Sequence, residues 1–78
     1  MAESLARALR RELAGGEWSS RTRVRVRRTV AHVRRQGGPD AHYLMNYLAH
    51  RLGLPNETAE QLMSIHALAV AAWGDDGG

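Results

Sequence analysis

Residues 21–35, RTRVRVRRTVAHVRR, place seven of the chain's eleven arginines in fifteen consecutive positions with no acid among them. The period of the apolar residues threaded through this run decides the fold class. Thr22, Val24 and Val26 alternate with Arg21, Arg23, Arg25 and Arg27, a period-2, β-branched pattern that suits a strand. Only the first half of the run keeps it. At about 100° per residue, Thr22, Val26, Thr29, Val30 and Val33 gather into one stripe, and Arg21, Arg25, Arg28, His32 and Arg35 gather on the other side. The helical template covers the whole run with Val24 as the one outlier, whereas a strand here would find no partner elsewhere in the chain. A helix over 20–36 is expected, with Ser19 or Ser20 as its cap.

The flanking segments read as helices too. Over 2–14, Leu5, Leu9 and Leu13 recur every fourth position beside Ala2, Ala6 and Ala8, with Ser4 near the start and Gly15-Gly16 as the stop. Arg7, Arg10, Arg11 and Glu12 are assigned to the outer, solvated face of this helix. Gly37-Gly38-Pro39-Asp40 punctuates strongly, and Asp40 is placed to cap a third helix over 41–52 with Leu44, Leu48 and Leu52 on one edge and Tyr43 and Tyr47 beside them. Gly53, Leu54 and Pro55 end it. A fourth helix starts at Asn56, or at Thr58 with Gln61 in capping-box spacing, and is apolar on nearly every side from Leu62 to Trp73. The expectation is an all-α, four-helix single domain over 1–73 with a flexible tail over 74–78.

Size and composition bound what such a domain can be. A chain of 78 residues buries only about 60% of its unfolded surface. Twelve of its apolar residues are Ala, and it has no Phe, so the margin of stability is thin and self-association or a bound partner is expected. The seam proposed for a homodimer is the fourth helix, through Leu62, Ile65, His66, Ala69 and Trp73. The absence of Cys excludes disulfides and thiolate metal sites. The longest apolar run, 67–73, is too short to span a bilayer, and no signal-peptide core precedes the domain, which gives a cytoplasmic expectation.

Residues 45–64, MNYLAHRLGLPNETAEQLMS, resemble the two-helix core of the helix-turn-helix superfamily. Leu48-Ala49 lie where the helices would cross, Leu52-Gly53-Leu54 lead into a turn through Pro55-Asn56, and Ala59 and Leu62 face back. The resemblance is generic, points to no specific family, and implies a helix-turn-helix-like C-terminal pair. In DNA-reading members the exposed start of the second helix enters the major groove. Here those positions are Asn56, Glu57, Thr58, Glu60 and Gln61, and two carboxylates would face phosphates that repel them.

The charge map instead favours the second helix. Outside 21–35 the chain has four arginines against eight acids, so one segment holds the unbalanced charge, and a ligand of opposite sign would relieve its self-repulsion. Arg21, Arg23, Arg25, Arg27, Arg28, Arg34 and Arg35 are the candidate contacts, to the phosphates of a nucleic acid, duplex rather than single-stranded because interleaved aromatic rings are missing. The reading is a small non-enzymatic nucleic-acid-binding or regulatory protein. The alternative is a protein-interaction module, such as a phage-type or regulatory inhibitor or a small subunit of a larger complex, docking the same arginines on an acidic protein surface. That every basic residue is Arg fits phosphate forks and fits the codon usage of a GC-rich genome equally. His32, His42, His50 and His66 show no i,i+4 pairing and no carboxylate at metal-site offsets, so no metal, cofactor or catalytic group is assigned.

Overall fold

The computed structural model describes residues 3–53 and 58–76, and within them every regular element is helical: α1 (Leu5–Gly15), α2 (Ser20–Arg35), α3 (Ala41–Leu52) and α4 (Ala59–Asp76). Each start is fixed by a side chain that accepts an otherwise orphaned backbone N–H. Ser4 Oγ accepts from Arg7, Ser19 Oγ from Thr22 at 3.1 Å, and Asp40 Oδ1 from Tyr43 at 3.0 Å. Thr58 and Gln61 close a reciprocal capping box, each side chain accepting from the other's backbone N–H at 3.0 and 3.1 Å. Of the two starts open to α4, Thr58 is the one used; Asn56 lies outside the described residues.

Two boundaries differ from expectation. Glu3 and Ser4 precede α1 rather than belonging to it, because Ser4 takes the extended backbone of a cap. At the other end α4 continues through Gly74 to Asp76, past the tail boundary expected at 74. A helical glycine costs only about 1 kcal/mol relative to Ala, and no proline follows to bar continuation.

α4 packs along both α2 and α3, and α1 closes the assembly against α2, α3 and α4. The core they enclose is built from Leu9 of α1, Val26, Val30 and Val33 of α2, Leu44, Leu48 and Leu52 of α3, and Ile65, Leu68, Ala69 and Ala72 of α4. In α2 these are the i, i+4, i+7 positions, in α3 the i, i+4, i+8 positions and in α4 the i, i+3, i+4, i+7 positions, the arc that a 3.6-residue period turns inward. Leu5, Leu13, Trp18, Met45, Tyr47 and Trp73 pack around its edge. Arg10 ties α1 to the far end of α3: its Nε donates to the carbonyl of Leu52 at 2.8 Å, which satisfies one of the acceptors left at that helix C-terminus and sets a cation at its negative end.

The α2–α3 connection is tighter than its glycines alone suggest. Gly37 takes φ +88°, and Gly38 donates its N–H to Val33 O at 2.9 Å while lying buried against the same turn. A Cβ on Gly38 would stand 2.8 Å from Tyr43 Cδ1 and closer still to Val33 Cγ1. Gly38→Ala is therefore expected to destabilise the fold by about 1–3 kcal/mol through overpacking, read as a lowered urea midpoint. A midpoint equal to that of the native chain would show that the turn has room.

Candidate polyanion-binding face

α2 is a helix because its core-facing stripe is consistent from end to end. Thr22, Val26, Val30 and Val33 are buried, with Thr29 half-buried beside them. Thr29 donates its hydroxyl to Val26 O, turning a potentially competing polar group into a local backbone contact. With that stripe pinned, the arginines divide into two rows. Arg21, Arg28 and Arg35 are exposed on the side away from α4, and Arg25, half-buried on the flank toward α1, joins Arg21 and Arg28 around Val24 and Ser20 in one shallow surface groove. Arg23, Arg27 and Arg34 fall on the flank that meets α4, where Arg23 and Arg27 border a cleft between the two helices. At 1.5 Å per residue the row from Arg21 to Arg35 runs roughly 21 Å along the helix. Val24, the outlier of the helical pattern, is half-buried among arginine side chains, whose methylene stems can cover apolar surface while their heads stay in water.

Pairing distinguishes the rows further. The ion pairs formed between described side chains belong to Arg11, which holds Glu3 through two hydrogen bonds at 2.8 and 3.1 Å and lies 3.6 Å from Glu12. Among the described residues no carboxylate lies within 4 Å of Arg21, Arg23, Arg25, Arg28 or Arg35. Arg34 is engaged on the flank, its guanidinium 4.4 Å from the centre of the Trp73 ring. Two acids line the same small cleft as Arg21 and Arg25, the buried Glu12 and the more exposed Glu3. The hydrogen-bonded Arg11 fork, opposed by slight burial and helped by the charges of Arg11, Arg7 and Arg25, holds the Glu3 carboxyl below the usual range, and it is Arg11 that occupies its oxygens.

The N-terminus of α2 is anchored by a residue assigned to solvent on sequence. Glu12 is not on the outer face of α1: it is 7% exposed and turned toward the start of α2. Its carboxylate accepts from the Ser19 backbone N–H, from Ser19 Oγ at 3.0 Å and from Thr22 Oγ1. On a helical projection Glu12 falls between Ala8 and Leu9, inside the apolar stripe, and a carboxylate there is tolerated only where donors meet it. Burial pushes this carboxyl up, but the hydrogen bonds from Thr22 and Ser19 and the charge of Arg11 outweigh it, leaving it below its ordinary value of 4.5. A folded-state value below the unfolded one means that its stabilisation is fully present above 4.5 and is lost as pH falls through the folded value. Glu12→Gln is expected to flatten the acid limb of stability against pH. Matching acid limbs in the two chains would sink this assignment.

The expected dimer seam is not arranged as the sequence suggested. Ile65 and Ala69 are fully buried in the chain's own core, Leu62 is half-buried, Trp73 packs at the core edge beneath Arg34, and only His66 is exposed. The apolar surface α4 does show to water lies on another side, through Met63 at 72% and Val70 at 47% exposure, with Ala67 and Ala71 also exposed. The start of α4 that a helix-turn-helix would send into a groove has Thr58 and Gln61 committed to each other and Glu60 exposed, and the turn through 54–57 lies outside the described residues. Among the described residues no helix is long and apolar enough to cross a membrane. Trp18, unassigned on sequence, donates its indole N–H to Ser64 O at 3.2 Å and lines the α2–α4 cleft. An isolated Trp between glycines and a cap was the available signal, since a buried indole seeks one acceptor. Compared with protein-family models, curated proteins and solved structures, the chain matches none.

Proposed function

We propose that this chain is a small non-enzymatic binding protein whose second helix lies along the phosphate backbone of a duplex nucleic acid. The observation that carries the reading is the row Arg21, Arg25, Arg28 and Arg35, which has no carboxylate within 4 Å among the described residues and is held in place by a helix pinned into the core. Four guanidinium groups at this spacing displace condensed counterions, a gain that grows as salt falls. Their forks match phosphate oxygens in pairs. Such contacts orient a protein on a duplex and carry no base information, so the binding is sequence-neutral. α4 is not the reading helix in this proposal, because its exposed first turn offers Glu60 and a capping pair whose acceptors are already used.

The test is fluorescence anisotropy with labelled duplexes of unrelated sequence and a single strand of equal length. At about 50 mM salt, four contacts correspond to a Kd on the order of 10 µM for every duplex, with the single strand weaker. An absence of binding to duplex at low salt overturns the proposal, and tighter binding to the single strand overturns the duplex assignment.

A further inference from the structure

We infer that Arg51, Tyr47 and His32 form a binding site for a phosphate monoester between α2 and α3, a site distinct from the arginine row and standing whether or not that row binds a duplex. Tyr47 is half-buried, with its ring packed against the edge of the core. Its phenol oxygen accepts from Arg51 Nε at 3.2 Å and from Arg51 Nη2 at 2.8 Å, and the guanidinium lies 5.2 Å from the ring centre. From α2, the exposed His32 brings its ring centre to 6.3 Å from that of Tyr47, tilted by 56°. A core-anchored ring thus holds an exposed cation at one place on the surface, which lowers the entropy that an incoming anion would otherwise have to meet.

All three side chains bring donors to this place. Two of the five guanidinium N–H donors are engaged by Tyr47, and the phenol oxygen that accepts them keeps its own hydrogen to donate. The imidazole carries at least one N–H in either tautomer. No carboxylate lies within 4 Å of Arg51 among the described residues. The negative end of α3 is close by, and Arg10, bonded to Leu52 O, offsets it. A phosphate monoester, with three terminal oxygens and close to two negative charges, matches a fork, a phenol and an imidazole better than a carboxylate or a singly charged diester does. Base stacking is not the role of Tyr47, because Arg51 lies over its ring.

The test is a heteronuclear NMR titration of the native chain with inorganic phosphate, followed at the Arg51 Nε–H. A saturable shift is expected, with a Kd on the order of 1 mM for a few charge-assisted hydrogen bonds on an open surface. Chloride at matched ionic strength and acetate are the controls, and neither should saturate that resonance. Tyr47→Phe keeps the ring and removes the hydroxyl, and should weaken phosphate by about tenfold with helical content unchanged. Arg51→Lys keeps the charge, loses the fork, and should abolish the preference for phosphate over acetate. An Arg51 resonance that phosphate leaves unmoved overturns the inference. So does one that chloride or acetate moves equally, and so does native affinity in Tyr47→Phe. The source of the monoester is read with duplexes whose ends are phosphorylated or left as hydroxyls. Tighter binding of the phosphorylated duplex, lost in Arg51→Ala, supports a nucleic-acid end; equal affinities beside a positive phosphate titration support a free monoester.

Discussion

Leu48→Ala is expected to remove a large share of the domain's stability, about 3–5 kcal/mol. Leu48 is fully buried at the middle of α3 and belongs to the cluster joining all four helices. Truncating a buried leucine costs about 3–5 kcal/mol, the lost transfer energy plus the cavity its neighbours fail to close. A domain of this size has only about 4–12 kcal/mol in total. No disulfide shares the load, since the chain has no Cys, and alanine neighbours such as Ala69 and Ala72 cannot swing into the void. Circular dichroism under urea denaturation reads the effect directly. A midpoint within experimental error of the native one would mean that α3 is not the packing element assigned to it.

The second large effect is on binding. The triple replacement of Arg21, Arg25 and Arg28 by Ala removes three of the four guanidinium groups of that row and replaces no core residue. Each phosphate contact contributes about 0.9 to the slope of log affinity on log salt, so three contacts at about 50 mM salt are worth on the order of a thousandfold in affinity. The slope itself should fall from about −3.6 to about −0.9. Helical content should be unchanged, because the α2 cap and stripe are left intact and mutual repulsion along the helix is relieved. Loss of folding in this variant would mean that the arginine stems hold α2 in place rather than its surface open.

How far the sequence could be read depended on whether each residue's surroundings lay within its own helix. α2 and α3 were legible nearly to the residue, because Ser19, Asp40, Gly37 and Gly53 act on their own neighbours and because the valine and leucine stripes have a single arc to choose. Glu12 was misplaced although its projection lay between Ala8 and Leu9; its donors, Ser19 and Thr22, sit on the next helix, and only the fold brings them there. Arg10 is similar, reaching a carbonyl forty-two positions away. α4 fails for another reason. With apolar residues on nearly every side, the helical period names no inward arc, so the stripe chosen for a dimer seam, Ile65 and Ala69 above all, turned out to be the one the core takes, and Met63, Ala67 and Val70 were left outside. The separation of seven arginines into two rows was foreshadowed by the 100° projection, but which row met α4 depended on packing.

The most direct test of the central claim, that the outward face of α2 is held for phosphates, is a titration of the native chain with one duplex across a salt series. Four arginine contacts require log Kd to rise linearly with log salt at a slope of about 3.6, the same for duplexes of different sequence. An affinity that stays flat as salt rises would contradict the claim.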